Sequence, residues 1–270
     1  MSAMREPVVN NTVYQYLSLS NLGIAFRHLG RFDESRTVLM QALHALKNYP
    51  QIHDGMIANL YREAALACES LGQLAEAEGN LNHSLHYYSQ HSLANEHASS
   101  KGQPSNQPTD LAKIVLETAA THYTLALLIH KTATAKATEE AAAAKGKNLQ
   151  VHLRLREAER HYTDALKMMR AVYGTKVESQ QSLLIAPILS SMGTMYSELS
   201  DTPNALSHWM EALTIYQHHQ DPRLLPILDA YMALLQKQDP AYAQILQQQQ
   251  QQTTETSTPS GQPPNDGQKK

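Results

Sequence analysis

The sequence predicts an all-α fold of stacked helical hairpins, a solenoid, and three observations predict it. The spacing Leu22-Gly23-x2-Phe26-x3-Gly30-x4-Ser35-x3-Leu39-x2-Ala42 recurs as Ala64-Ala65-x2-Cys68-x3-Gly72-x4-Ala77-x3-Leu81-x2-Ser84. It returns as Met192-Gly193-x2-Tyr196-x3-Ser200-x4-Ala205-x3-Trp209-x2-Ala212. In each copy small residues stand where paired helices cross and large ones fill between them. Gly30 and Gly72 sit at equivalent turns, where glycine readily supplies the left-handed residue that ends a helix. The chain then finishes on an atypical helical stretch, as a terminal repeat requires.

The first hairpin is expected over 11–48, after a flexible N-terminus at 1–10. Its first helix is apolar at Val13, Leu17, Leu19, Leu22, Ile24, Phe26 and Leu29; its second carries Val38, Leu39, Ala42, Leu43 and Leu46 and stops at Tyr49-Pro50. The second hairpin spans 55–90, with Leu81, Leu85 and Tyr88 on its second helix. From Ser92 to Pro108 the chain turns to Ser, Asn, Gln, Gly and Pro, which predicts a loop or linker. A helix follows from Thr109-Asp110 through Ile114, Leu116, Ala120, Tyr123, Leu127 and Leu128. The run KTATAKATEEAAAAKGK favours helix but offers no bulky apolar face, so a helix there projects into water. It reads as an insertion at 131–150 within a third hairpin over 109–173, resumed by Ala158-x3-Tyr162-x2-Ala165; either Ala120 or Ala126 could take the crossing position. The fourth hairpin covers 182–218. A capping helix spans 222–246, with Asp221-Pro222 and Asp239-Pro240 as acid–proline starts. The Gln-rich end, 247–270, buries too little apolar area to order.

Composition narrows the function classes. Lys and Arg number 22 against 25 Asp and Glu, a net charge of −3 with no basic stripe; nucleic-acid binding is not expected. Cys68 is the single cysteine, so no internal disulfide can form. No run of 18 apolar residues occurs, and the first residues lack the features of a signal peptide or presequence. Cytoplasm is the default expectation, and the sequons at Asn10 and Asn82 are read as accidental.

These registers resemble the tetratricopeptide repeat (TPR) superfamily, most closely the kinesin-light-chain and nephrocystin type. That type shows a Tyr-Gly linker (Tyr173-Gly174 here) and an ending such as Ala212-Leu213-Thr214-Ile215-Tyr216. Gly30 and Gly72 lie 42 apart, longer than the roughly 34 of a minimal repeat, which fits that type. Ser35 and Ser84 replace Ala, Ser200 replaces Gly and Cys68 replaces an aromatic. The resemblance implies a right-handed α-solenoid of about four hairpins plus a C-terminal capping helix, and protein binding in a concave groove lined by the first helix of each repeat. Counted from the repeat start, groove positions are Ser20, Ile24, Arg27 and His28; Asn59, Arg62, Leu66 and Glu69; and Ser190, Thr194, Ser197 and Glu198. Ile24 and Leu66 are equivalent and suggest an apolar spot. A carboxylate clamp, known in some members, is rejected: Ser20 and Ile24 stand where Lys and Asn would be needed. Arg27 and Arg62 are candidates for an acidic or mixed peptide, with solvated surface arginines as the simpler reading.

No chemistry-bearing motif competes. His83 and His86 share a helix face, followed by His91 and His97, with His218-His219 as a second cluster, but no His-Glu-x-x-His occurs and no metal is expected. Phosphate-cradling loops and nucleophile elbows are missing from the sequence, so neither an enzyme nor a cofactor is expected. Glu139-Glu140 reads as a solvated face. Cys68, Tyr162 and Trp209 read as core. The leading expectation is a non-enzymatic scaffold or adaptor with a protein or peptide partner; the alternative is an assembly or stability factor for an organelle complex such as a mitochondrial one.

Overall fold

The computed structural model describes residues 6–47, 54–100, 108–142 and 149–238. Among these, nine helices run α1 (Glu6–His28), α2 (Phe32–Lys47), α3 (Asp54–Ser70), α4 (Leu74–Ser100), α5 (Pro108–Ala142), α6 (Leu149–Tyr173), α7 (Ser182–Glu198), α8 (Thr202–His218) and α9 (Leu224–Gln238). Each helix packs on the next, and α1 also meets α3, α3 meets α5 and α5 meets α7. Odd-numbered helices therefore form one layer of an all-α solenoid and even-numbered helices the other. Expectations about Tyr49-Pro50, 143–148, Asp239-Pro240 and the tail at 247–270 fall outside the described residues.

The crossing positions explain the pairing. Gly23 faces Leu39, and a Cβ there would lie 2.6 Å from Leu39 Cγ. Ala65 and Leu81 are both buried in the second hairpin. Ser35, the residue replacing Ala in the first, donates from Oγ to the Gly23 carbonyl at 2.7 Å, so the polar substitution is satisfied in place. Ser84 has no such partner. The hairpin turns at Gly30 and Gly72 take φ 74°, and Ser200 adopts the same left-handed region at φ 61° without the glycine that makes it easy. Tyr162 and Trp209 are core residues, as is Cys68, whose thiol burial pushes up to about 11.

Several expected boundaries differ. Helix α1 begins at Glu6, inside the stretch expected to be flexible. Helix α4 continues to Ser100 through much of the expected linker, since no Gly or Pro intervenes between Gly79 and Gly102 to stop it. Helix α5 carries the Ala-rich run as far as Ala142, with only Ala133 buried among the described side chains beyond Lys131. Of the two candidates for the crossing position, Ala126 is fully buried and Ala120 half-buried. Asp221 accepts the backbone N–H of Arg223 at 2.9 Å in a turn, and α9 starts only at Leu224, so Pro222 does not open the helix. Leu111–Glu139 in α5 is long and apolar enough to cross a bilayer by composition. In the solenoid its Leu125, Leu128 and Ile129 fill the core while Glu117 and Lys131 are ion-paired.

Helices α5 and α6 also enclose a histidine pair. His122 Nδ1 and His161 Nδ1 meet at 2.9 Å, a contact that needs one proton and one lone pair. Desolvation first, then the neighbouring His161, brings His122 down to about 4; desolvation also lowers His161. The unfolded chain protonates imidazole near about 6.5, so between there and 4 it binds more protons than the folded chain. Stability therefore falls as pH falls through that window. Urea melts are expected to show a loss of about 2 kcal/mol by pH 4, after allowance for partial exposure, and His122→Gln should flatten that dependence.

Candidate protein-interaction site

The odd-helix layer is where the resemblance places a groove, and its floor is held by charge. Arg27 on α1 donates to Glu63 on α3 at 3.1 Å. Arg62 lies 3.4 Å from Glu63 and 2.9 Å from Glu117 on α5, and donates to Asn59 Oδ1 at 3.1 Å. Further along, Glu69 pairs with Lys131 at 3.3 Å. Glu198 on α7 accepts from Thr134 at 2.7 Å and meets His130 Nε2 at 3.0 Å, while His130 Nδ1 meets Tyr162 Oη at 3.1 Å. Burial raises the pKa of Glu198, but the bonds from His130 and Thr134 outweigh it and hold the carboxyl below its ordinary range. This Tyr–His–Glu chain joins three helices, running from fully buried Tyr162 to exposed Glu198, and is a strut between hairpins. The even layer carries its own ties, Arg36 to Glu76 at 3.1 Å, Arg154 to Glu78 at 2.6 Å and Arg170 to Glu211.

The expected groove residues therefore divide. Arg27 and Arg62 are not solvated surface arginines: their side chains are only 23% and 19% exposed and bind carboxylates of neighbouring helices. Ser20 is buried and forms floor. Ile24, Asn59, Leu66, Glu69, Ser190 and Ser197 are half-buried, and His28, Thr194 and Glu198 are exposed. The Ser190 carbonyl accepts from Trp209 Nε1 at 3.2 Å, tying that position to the core.

One open cleft of about 450 Å³ lies at the N-terminal half of this layer. Tyr16 and Leu17 come from α1, Met56 and Asn59 from α3, Tyr88 from α4, and Lys113, Ile114 and Glu117 from α5. Tyr88 is 3% exposed; its hydroxyl proton meets no acceptor, and the Arg62 guanidinium lies beside its oxygen. Desolvation, then the Glu117 carboxylate, raises its pKa well above the ordinary phenol value, so it stays a donor. The volume falls in the range of recognition pockets, and the lining is mixed, with Asn59, His91, Lys113 and Glu117 beside Leu17, Met56 and Ile114. Asn59 is the one member foreseen from the repeat count. Met56 lies one turn before it on α3, and Lys113, Ile114 and Glu117 share a face of α5, but only the approach of α5 to α3 makes these two sets one wall.

Layered hairpins with a polar-floored face define a helical repeat protein. Residues 17–47 match the family model described as Tetratricopeptide repeat, and the chain shares its all-α fold with a solved structure. It is similar to BtubC (BKLC) from P. vanneervenii, with 13% identity, a TM-score of 0.62, and 98% of this chain and 92% of that one covered. Two structures of kinesin-light-chain TPR-like repeats from Podosopora anserina show 15% and 14% identity and TM-scores of 0.35 and 0.34. Each covers 82% of this chain, and 94% and 95% of its own. No curated protein matches the chain. TPR-type repeats generally mediate protein–protein contacts, and the fold is typically a non-catalytic scaffold.

Proposed function

We propose that this protein is a non-enzymatic scaffold or adaptor that holds a helix or extended peptide of a partner protein along its odd-helix face, anchored in the cleft between α1, α3, α4 and α5. The observation that carries this reading is the open cleft itself, where Leu17, Met56 and Ile114 from three helices of one face stand beside Asn59 and Lys113. Because Arg27 and Arg62 are already neutralised, affinity rests on Leu17, Met56 and Ile114 together with Tyr88 and Asn59. Ile24, Leu66, Glu69, Ser190, Thr194 and Ser197 extend the same face.

Leu17 is 41% exposed and Lys113 is exposed, so changing them leaves the fold intact. Affinity purification with mass spectrometry should recover a partner set with the native chain. That set should fall at least about tenfold with Leu17→Glu/Lys113→Glu, a loss of roughly 1.4 kcal/mol or more. An unchanged set would move the binding face elsewhere.

A further inference from the structure

The two ends of the solenoid are not alike. Helix α9 turns Asp229, Gln236 and Lys237 to solvent beside Leu225, which is 62% exposed, so its outer face is mixed and carries charge. Helix α1 has no charged residue between Glu6 and Arg27, and Arg27 turns inward to Glu63. Its outward stripe runs Tyr14, Ser18, Leu22, Ala25 and, in the turn, Leu29. Tyr14 is 69% exposed, Leu22 44% and Leu29 70%.

Along this stripe large and small residues alternate at the four-three-four spacing of a coiled-coil seam: Ser18, Leu22, Ala25, Leu29. The order is self-complementary when one helix is reversed. A two-fold axis passing between Gly23 and Ile24 sets Leu22 against Ala25 of a second copy, and Leu29 against Ser18. Each leucine then fills the space left by a small residue. The Ser18 hydroxyl already donates to the Tyr14 carbonyl at 2.9 Å, so covering it strands no donor. In an isologous contact residue i of one copy meets j of the other and j meets i, so both ends of the stripe are covered at once, and none of the four paired residues carries a charge.

We propose that the chain self-associates through antiparallel α1–α1 pairing on that two-fold axis, forming a dimer joined at its N-terminal ends. The odd-helix face stays open in each copy, so the proposal does not depend on the groove reading.

Sedimentation velocity or light scattering of the full chain across a concentration series tests it. The mass is expected to rise from 30.1 kDa to twice that value at micromolar concentration. Leu22→Glu/Leu29→Glu should give a monomer throughout, with the far-ultraviolet dichroism unchanged because both side chains face solvent. Ala25→Leu keeps the face apolar but removes the small member of its layer, and should weaken the dimer about tenfold or more. A native monomer at every concentration overturns the proposal, as does a dimer indifferent to the double glutamate variant. Tightening by Ala25→Leu also overturns it, since a merely sticky surface would respond that way. If a chain ending at Gln238 dimerises where the full chain does not, the chain's own C-terminal segment is the occupant and the proposal fails.

Discussion

Glu63→Ala is expected to destabilise the first two hairpins by about 3 kcal/mol, the usual cost of breaking a buried ion pair from one side. Glu63 is 6% exposed and receives Arg27 from α1 and shares Arg62 with Glu117 of α5. Removing it leaves Arg62 with Glu117 and Asn59, but takes the Glu63 carboxylate from Arg27, whose Nε already lacks a partner. The penalty is therefore concentrated on Arg27. Thermal melts followed by circular dichroism should show the loss, and Arg27→Met/Glu63→Leu should recover most of it, because two well-packed apolar side chains strand no charge. A loss under about 0.5 kcal/mol, the scale of a surface pair, would show that the network is solvated.

Gly193→Ala is expected to cost at least about 2 kcal/mol in the fourth hairpin, in the range of overpacked cores. A Cβ at that position would stand 2.5 Å from Trp209 Nε1 and 2.7 Å from its Cγ. The indole cannot swing aside freely, since Nε1 donates to the Ser190 carbonyl. The second hairpin solves the same crossing with Ala65 and Leu81, an extra methyl against a smaller partner. Gly193→Ala/Trp209→Leu copies that solution and should be more stable than Gly193→Ala alone. Chemical denaturation of the three variants measures the coupling. Additive losses would mean that the two positions do not share one space.

The hairpins were legible because helix crossings impose local rules: Gly23, Ala65 and Gly193 are small for reasons written within one repeat. Glycines at the turns and bulky residues at Tyr162 and Trp209 follow the same logic. Helix lengths were less legible. Polar residues between Leu93 and Ser100 signal a loop by composition, yet none of them stops a helix, and α4 runs on. The charge floor was not legible at all. Arg62 meets Glu117 across 55 positions of sequence and Glu198 meets His130 across 68, distances that no helical period encodes. Arg27 and Arg62 look like surface arginines until α3 and α5 are set beside them. The cleft shares this origin, because its walls come from four helices and Asn59 alone of its lining residues was counted as groove.

The charge ties of the solenoid differ widely in solvent exposure, from Lys131 at 65% to Glu63 at 8% of the side chain. Arg36, Glu76 and Glu211 sit in water enough for salt to slacken their bonds, whereas the Arg27 and Arg62 contacts with Glu63 lie where ions penetrate poorly. Raising ionic strength is thus expected to loosen Arg36–Glu76, Arg170–Glu211 and the odd-layer Lys131–Glu69 first, and to leave the contacts around Glu63 in place.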